Sequence, residues 1–245
     1  MKSGFVAIVG RANVGKSTLI NALVGEKISI VSSKSQTTRH NIQGIVTEER
    51  GQIVFVDTPG MHRPKNKLDD YMIERINESL VDMDVLLFMV DISVGIGPGD
   101  IFMAKKLPPN VPKMLLLNKI DLIDEETLFE HKKQIGELGE FDRVLAISAL
   151  NEKTVVGILD LLFELLPEGP QYYPSDVSSN MSNEVLISEV IREKAMHYLD
   201  EEIPHGIAVV VEEFHQEEKG LYISATIIVE KDSHKGIVIG KGGRK

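Results

Sequence analysis

The chain contains no cysteine and no tryptophan, and only 5% of its 245 residues are aromatic. The absence of cysteine excludes disulfides and thiolate metal sites, and it is typical of a protein in a reducing compartment. The longest purely apolar runs, such as residues 85–90, are too short to span a bilayer, and the N-terminus lacks the apolar run of a signal peptide. We therefore expect a cytoplasmic protein.

The net charge is −10, which argues against a protein that coats nucleic acid. The C-terminal end differs from the rest, because residues 231–245 carry five Lys or Arg and one Asp. A solvated surface is the commoner explanation of such a cluster, but a local nucleic-acid contact remains compatible with it.

The first two thirds of the chain alternates apolar strands with helical segments. The predicted strands are residues 5–9, 42–47, 52–56, 85–90, 114–117 and 144–147, and the predicted helices are residues 17–24, 67–81, 101–107, 125–138 and 155–165. Such an alternation predicts an α/β domain with a mostly parallel sheet flanked by helices. We assign residues 1–166 to this domain.

The composition changes after residue 166. Residues 167–182 are rich in proline, glycine and serine without periodicity, which predicts a linker. Beyond it we expect a helix over residues 183–200, with Asn183 as its cap, and strands over residues 207–214 and 221–229. Residues 183–245 are therefore predicted to form a second, smaller α+β domain.

A glycine-rich loop follows the first predicted strand and matches the pattern G-x-x-x-x-G-K-S. Its glycines let the backbone N–H groups wrap around phosphates at the start of a helix. Lys16 is predicted to reach the β- and γ-phosphates, and the Ser17 hydroxyl to bind Mg²⁺. The predicted phosphate-binding residues are Gly10, Arg11, Ala12, Asn13, Val14, Gly15, Lys16, Ser17 and Thr18.

A second motif follows the strand predicted over residues 52–56. The carboxylate of Asp57 can hold Mg²⁺ as the Walker-B aspartate does. The N–H of Gly60 can contact the γ-phosphate, so this loop can sense whether that phosphate is present. The predicted nucleotide contacts here are Asp57, Thr58, Pro59, Gly60 and Met61.

Two further motifs at strand ends specify the base. A carboxylate at Asp121 accepts two hydrogen bonds from guanine, and adenine offers no matching pair of donors, so the site favours GTP over ATP. The N–H of Ala149 is predicted to reach guanine O6. The predicted guanine-binding residues are Asn118, Lys119, Ile120, Asp121, Ser148 and Ala149.

The order and placement of these motifs resemble the translation-factor-related GTPases over residues 4–166. The resemblance implies GTP hydrolysis and an effector-loop threonine that binds Mg²⁺ and the γ-phosphate. Thr38 is favoured for this role, and Thr37 stays open. The expected catalytic residues are then Lys16, Thr38, Gly60 and Asn13, and the expected Mg²⁺ ligands are Ser17, Thr38 and Asp57.

The route of hydrolysis is expected to differ from that of Ras-type GTPases. Met61 stands where those proteins carry the glutamine that orients the attacking water. Asn13 matches an asparagine that helps several related GTPases bind K⁺, and a cation there would offset developing charge. K⁺ is therefore a hypothetical second cation, and slow intrinsic turnover is expected.

The end of the chain resembles a KH domain of the second topological type. Such a domain clamps the backbone of four single-stranded nucleotides with a G-x-x-G loop. The family pattern continues after this loop with a helix and a strand, so we expect an incomplete KH domain with weak RNA affinity. The predicted RNA-binding residues are Gly240, Lys241, Gly242 and Gly243.

A GTPase domain, a linker and a KH domain in this order resemble the Era family of bacterial ribosome-assembly GTPases. Residues 36–39, 57–62 and 234–243 carry the resemblance. It implies binding near the 3′ end of 16S rRNA and a role in maturing the 30S subunit. It also implies peripheral association with the inner face of the cell membrane.

Two other functions stay open. One is a GTPase of tRNA modification or of another assembly step, although neither a fused modification domain nor a second GTPase domain is evident. The other is an RNA-binding module with a degenerate nucleotide site, against which the intact Lys16, Ser17, Asp57 and Asp121 argue.

Overall fold

The computed structural model describes residues 1–31, 43–57, 80, 82–199, 206–218, 220–240 and 242–243. These residues divide into two compact units. The first holds residues 1–28 and 43–180, and the second holds residues 29–31 and 181–243.

A six-stranded sheet forms the centre of the first unit. Its strands are β1 (Lys2–Gly10), β2 (Gln43–Glu48), β3 (Gly51–Asp57), β4 (Val85–Asp91), β5 (Lys113–Asn118) and β6 (Arg143–Ala146). They lie in the order β2-β3-β1-β4-β5-β6, and every neighbouring pair is parallel except β2 with β3. The predicted mostly parallel α/β fold is confirmed.

The apolar runs of the sequence become the interior of this sheet. Residues 6–9 of β1, 85–90 of β4 and 114–117 of β5 are all apolar and buried, as strands covered by helices on both faces require. Phe55 and Phe88 are among the largest fully buried side chains. A short turn at residues 49–50 joins β2 and β3, which pair antiparallel.

Four α-helices of the first unit lie in its described part. They are α1 (Lys16–Val24), α2 (Pro98–Ala104), α3 (Glu125–Lys132) and α4 (Glu152–Leu165). Gly25 ends α1 in the left-handed conformation with φ 78°, as glycine commonly does after a helix. The predicted helix over residues 67–81 lies outside the described residues, apart from residue 80.

Two helices differ most from their predicted bounds. The helix predicted over residues 125–138 ends at Lys132, and a separate 3-10 helix covers Ile135–Leu138. α3 buries no residue, so no packed face stabilises a longer helix at this place. α2 begins earlier than predicted, because Pro98 occupies its first turn and the Asp100 carboxylate accepts the N–H of Gly97 over 3.0 Å.

The segment predicted as a linker is largely held by the first unit. The N–H of Ile45 donates to the carbonyl of Ser178 over 2.8 Å, which adds the segment to the edge at β2. The buried side chain of Gln52 makes three hydrogen bonds of 2.8–2.9 Å with the backbone of two consecutive tyrosines in the segment. Residues 167–180 are therefore part of the first unit by their contacts.

The second unit contains two helices and a hairpin in its described part. They are α5 (Asn183–Tyr198), β7 (Ile207–Glu217), β8 (Gly220–Val229) and α6 (Asp232–Ile239), with β7 and β8 antiparallel. The predicted cap of α5 is wrong by one residue, because Ser182 and not Asn183 accepts the capping bond, from the N–H of Val185. α6 was not predicted, since its eight residues contain Gly236 and bury none.

A polar cluster is buried within the second unit. Arg192 forms hydrogen bonds of 2.9 and 2.6 Å with the two carboxylate oxygens of Glu189, and both side chains are almost fully buried. Glu193 accepts the N–H of Val31 over 3.1 Å. Residues 29–31, which precede the predicted effector loop, are therefore tied to α5. None of the helices described is both long and apolar enough to cross a membrane.

Candidate nucleotide-binding site

The predicted site residues that the structure describes in the first unit meet at one edge of the sheet. Because β1, β3, β4 and β5 are mutually parallel, their carboxyl ends lie side by side. These ends are Gly10, Asp57, Asp91 and Asn118. The strands following β1 lie on its two sides, so this edge is the topological switch point at which open α/β sheets bind ligands.

The loop between β1 and α1 has the backbone that a phosphate cradle needs. Gly15 has φ 106°, and a Cβ there would lie 2.4 Å from Nδ2 of Asn118, so this position requires glycine. Asn13 also takes a left-handed φ of 64°, and Ala12 and Asn13 are exposed. The loop therefore presents its outer surface to solvent and packs its inner surface tightly.

Lys16 is buried beneath this loop. Its ammonium donates to the carbonyls of Gly10 and Arg11 over 3.1 and 2.9 Å. Burial lowers the pKa of Lys16 from 10.5 to about 8, and the negative charge of Asp57 opposes part of that shift. Backbone oxygens of the loop thus hold the charge of Lys16 at this position.

Ser17 and Asp57 are adjacent although forty residues separate them in sequence. The Ser17 hydroxyl donates to Oδ2 of Asp57 over 3.1 Å, and Asp57 is fully buried at the end of β3. A hydroxyl and a carboxylate are oxygen ligands of the kind that Mg²⁺ takes. This pair therefore fits the predicted magnesium site.

Asn118 joins two of the predicted motifs. Its Nδ2 donates to the carbonyl of Val14 over 2.7 Å, and its Oδ1 accepts the N–H of Ala149 over 2.8 Å. The Asn118 side chain is almost fully buried. It therefore fixes the phosphate loop relative to the loop after β6, which had been predicted to contact guanine.

The remaining guanine-binding candidates follow the ends of β5 and β6. Asp121 is exposed on the 3-10 helix Ile120–Leu122, and Ser148 is buried. The backbone N–H of Ser148 donates to Oγ1 of Thr154 over 3.0 Å, and that hydroxyl donates to the Ser148 carbonyl over 2.8 Å. Thr154 was not among the predicted site residues, because no pattern in the sequence indicates a contact across a loop.

Two aspartates of the site were also missed. Asp100 accepts a hydrogen bond of 3.3 Å from the guanidinium of Arg11, which braces the phosphate loop from α2. Asp91 forms an ion pair of 2.6 Å with the ammonium of Lys119. A signal for Asp91 was present in the sequence, since an acidic residue ends a buried strand there as Asp57 does.

Several predicted site residues lie outside the described residues, and their assignments stay predictions. In the second unit, the glycines of the G-x-x-G loop that the structure describes have φ values near 70°, a conformation that favours glycine. Gly242 and Gly243 are exposed. The predicted residues outside the described ranges are Thr37, Thr38, Thr58, Pro59, Gly60, Met61 and Lys241.

Two regions of the sequence match known protein families. Residues 5–119 match the family described as 50S ribosome-binding GTPase, and residues 202–245 match the KH domain family. The chain is 50% identical over 246 residues to GTPase Era of Clostridium botulinum (strain Hall), covering 100% of this chain and 83% of that relative.

Solved structures give the same result in three dimensions. The chain is similar to Era in complex with MgGDPNP and nucleotides 1506–1542 of 16S ribosomal RNA, with TM-score 0.88 and 38% identity over 100% of this chain and 84% of that one. It is also similar to a variant of Aquifex aeolicus Era bound to GDP·AlF4⁻, with TM-score 0.87, 37% identity and the same coverage.

Proposed function

The chain belongs to the Era family of GTPases, and on that premise we propose that it binds 16S rRNA near its 3′ end and assists assembly of the 30S subunit. The observation that carries the nucleotide half is the convergence of Lys16, Ser17, Asp57 and Asn118 at one edge of the sheet. The RNA half rests on similarity along the whole chain to an Era solved with nucleotides 1506–1542 of that RNA.

Nucleotide binding exchanges the partners of Lys16. The Lys16 ammonium, which donates to the carbonyls of Gly10 and Arg11, would donate to the β- and γ-phosphates instead. The N–H groups of residues 13–18 and the N-terminus of α1 supply further positive potential. Asp121, exposed beyond β5, accepts the hydrogen bonds of guanine.

Ser17 and Asp57 hold Mg²⁺ in this proposal, with Thr38 as a further ligand when GTP is bound. Mg²⁺ held there would supply positive charge to offset the negative charge of the phosphates. The Ser17 hydroxyl could offer a lone pair to Mg²⁺ while it still donates its hydrogen to Asp57, because a hydroxyl has one donor and two lone pairs. Gly60 contacts the γ-phosphate through its backbone N–H.

The hydrolytic step uses neither a Ras-type glutamine nor an arginine supplied by this chain's phosphate loop. Met61 offers no hydrogen bond to water, and the guanidinium of Arg11 is engaged by Asp100. We propose that Asn13, exposed on the loop, helps to hold K⁺ beside the phosphates. Equal turnover in Na⁺ and K⁺, or unchanged K⁺ stimulation in Asn13→Ala, contradicts this part.

The RNA contact is assigned to the G-x-x-G loop with Gly240, Lys241, Gly242 and Gly243. Gly242 and Gly243 are exposed and carry no Cβ, so an RNA backbone can approach closely. The overall charge of −10 opposes RNA, and the basic end of the chain must offset it locally. RNA binding is therefore expected to be weak and sensitive to salt.

We also propose a cytoplasmic location with a fraction bound peripherally at the inner face of the cell membrane. The support is the family resemblance alone. Fractionation of cells with and without a high-salt wash tests it, because a peripheral fraction is released by salt. Recovery of the whole protein in the soluble fraction before the wash contradicts the membrane part.

The deciding experiment measures GTP hydrolysis and binding of the 16S segment in parallel. Lys16→Ala is expected to abolish hydrolysis, whereas Lys132→Ala, at the exposed end of α3, leaves it unchanged. Gly242→Asp is expected to weaken RNA binding, because it adds negative charge and backbone strain. Gly139→Asp makes the same change at an exposed glycine of positive φ in the first unit and is the matched control.

Two results overturn the proposal. Hydrolysis by Lys16→Ala at the wild-type rate removes the nucleotide assignment. Equal RNA binding by the Gly242→Asp and Gly139→Asp variants removes the assignment of the loop.

A further inference from the structure

We propose that Asp91 is a positioning residue for guanine nucleotide binding, because it holds the side chain of Lys119 in place before the nucleotide arrives. The ammonium of Lys119 lies 2.6 Å from Oδ2 of Asp91. Asp91 is the last residue of β4 and is paired in register with Asn118, the last residue of β5. This inference rests on the proposed role of Lys119 in binding the nucleotide.

Asp91 is itself rigidly held. Its Oδ1 accepts the backbone N–H of Ser93 over 3.1 Å and the Ser93 hydroxyl over 2.5 Å, which caps the 3-10 helix Ile92–Val94. With Oδ1 engaged in this way, Oδ2 is directed to Lys119. The carboxylate is thus a fixed anchor on a central strand and differs from a mobile surface charge.

Lys119 needs such an anchor. Its backbone has φ 68°, an uncommon conformation for a residue other than glycine, at the junction of β5 with the 3-10 helix Ile120–Leu122. A lysine side chain has four flexible carbons, and ordering it only on ligand binding would cost affinity. The ion pair with Asp91 orders it beforehand, and preorganisation of this kind favours binding.

The ion pair between Asp91 and Lys119 is partly exposed to solvent. The Lys119 side chain is 29% exposed and that of Asp91 is 19% exposed, so the pair is neither buried in the core nor free at the surface. Solvent screens part of its attraction, and the expected effect on affinity is therefore moderate. Lys119 follows the strand that carries the guanine motif, so GDP and GTP should be affected alike.

The test is a double-mutant cycle on nucleotide affinity with a fluorescent GDP derivative. Asp91→Asn keeps the size of the side chain and an oxygen for Ser93 but removes the charge that Lys119 contacts. We expect Asp91→Asn to weaken GDP and GTP binding about 3- to 10-fold in the wild-type background. In the Lys119→Met background the same substitution is expected to change affinity less than about twofold, because its target is gone.

A matched control is available at the opposite end of β4. Asp84, just before the strand, accepts the N–H of Phe5 over 2.7 Å and lies at the other edge of the sheet. Asp84→Asn is expected to lower the melting temperature while leaving nucleotide affinity unchanged. Asp91→Asn is expected to raise the KM for GTP and to leave kcat nearly constant.

Three outcomes overturn the inference. The first is an equal loss of affinity from Asp91→Asn in both backgrounds, which makes Asp91 merely structural. The second is no loss in either background. The third is a fall in kcat without a rise in KM. Failure of the wild-type protein to bind GDP overturns the proposed function instead, so the two failures are distinguishable.

Discussion

Asn118→Ala removes the bridge between the phosphate loop and the loop after β6. The variant leaves two buried backbone groups without their partner, the carbonyl of Val14 and the N–H of Ala149. An orphaned buried polar group costs about 1–3 kcal/mol. Water can enter the vacated space, so we expect the two losses together to cost about 2–4 kcal/mol of unfolding free energy.

The assay is thermal unfolding of the nucleotide-free protein, followed by circular dichroism. A loss of this size lowers the melting temperature of the first unit by about 4–16 °C, at about 2–4 °C per kcal/mol for a domain of this length. Asn110→Ala, at an exposed position of the same unit, is the control and is expected to melt as the wild type does. Affinity for GDP should also fall, by about 5- to 100-fold.

Melting the protein without nucleotide separates a structural role of Asn118 from a role in contacting the nucleotide. If Asn118 acts only by touching the nucleotide, the variant melts within about 2 °C of the wild type although GDP binding is weakened. That result would refute the view that its hydrogen bonds to Val14 and Ala149 hold the empty site together.

Three further predictions concern single side chains. GDP affinity is expected to be constant below pH 8 and to fall by up to about tenfold per unit above it, because the lowered pKa of Lys16 must rise when phosphates bind and a proton is taken up; a flat titration to pH 9.5 contradicts this. Gly15→Ala is expected to abolish GDP binding by displacing Asn118, whereas Gly25→Ala, with positive φ but open space, costs only about 1–2 kcal/mol of stability; equal GDP affinities refute the steric argument. Gln52→Ala is expected to lower stability by about 2–4 kcal/mol and to expose the 167–180 segment to protease, since it deletes the hydrogen bonds to that backbone; unchanged cleavage would show that other contacts suffice.

Local signals predicted most of the first unit well. Runs of apolar residues predict buried strands because only a strand covered on both faces can stay apolar at successive positions, and the central parts of β1, β4 and β5 are of this kind. The phosphate loop was predictable because its chemistry needs glycines and a lysine at fixed spacing. α6 was missed because a short helix with a central glycine and no buried face leaves no periodic signal.

The 167–182 segment makes contacts that its composition does not predict. Proline, glycine and serine describe a chain without regular secondary structure, and the prediction of a linker followed from that. Its attachment to the first unit depends on the side chain of Gln52 and on the free edge of β2, both more than a hundred residues away. No local pattern records such a contact.

The sequence by itself determined the chemistry of the protein, because phosphate, magnesium and guanine recognition each require particular residues in a short motif. Tertiary structure decided how those motifs act together. Parallel pairing of the strands brings Asp57 to Ser17 and Asn118 to Val14, and places Asp91 against Lys119. These contacts join residues separated by 28 to 104 positions, and only the register of the folded sheet fixes them.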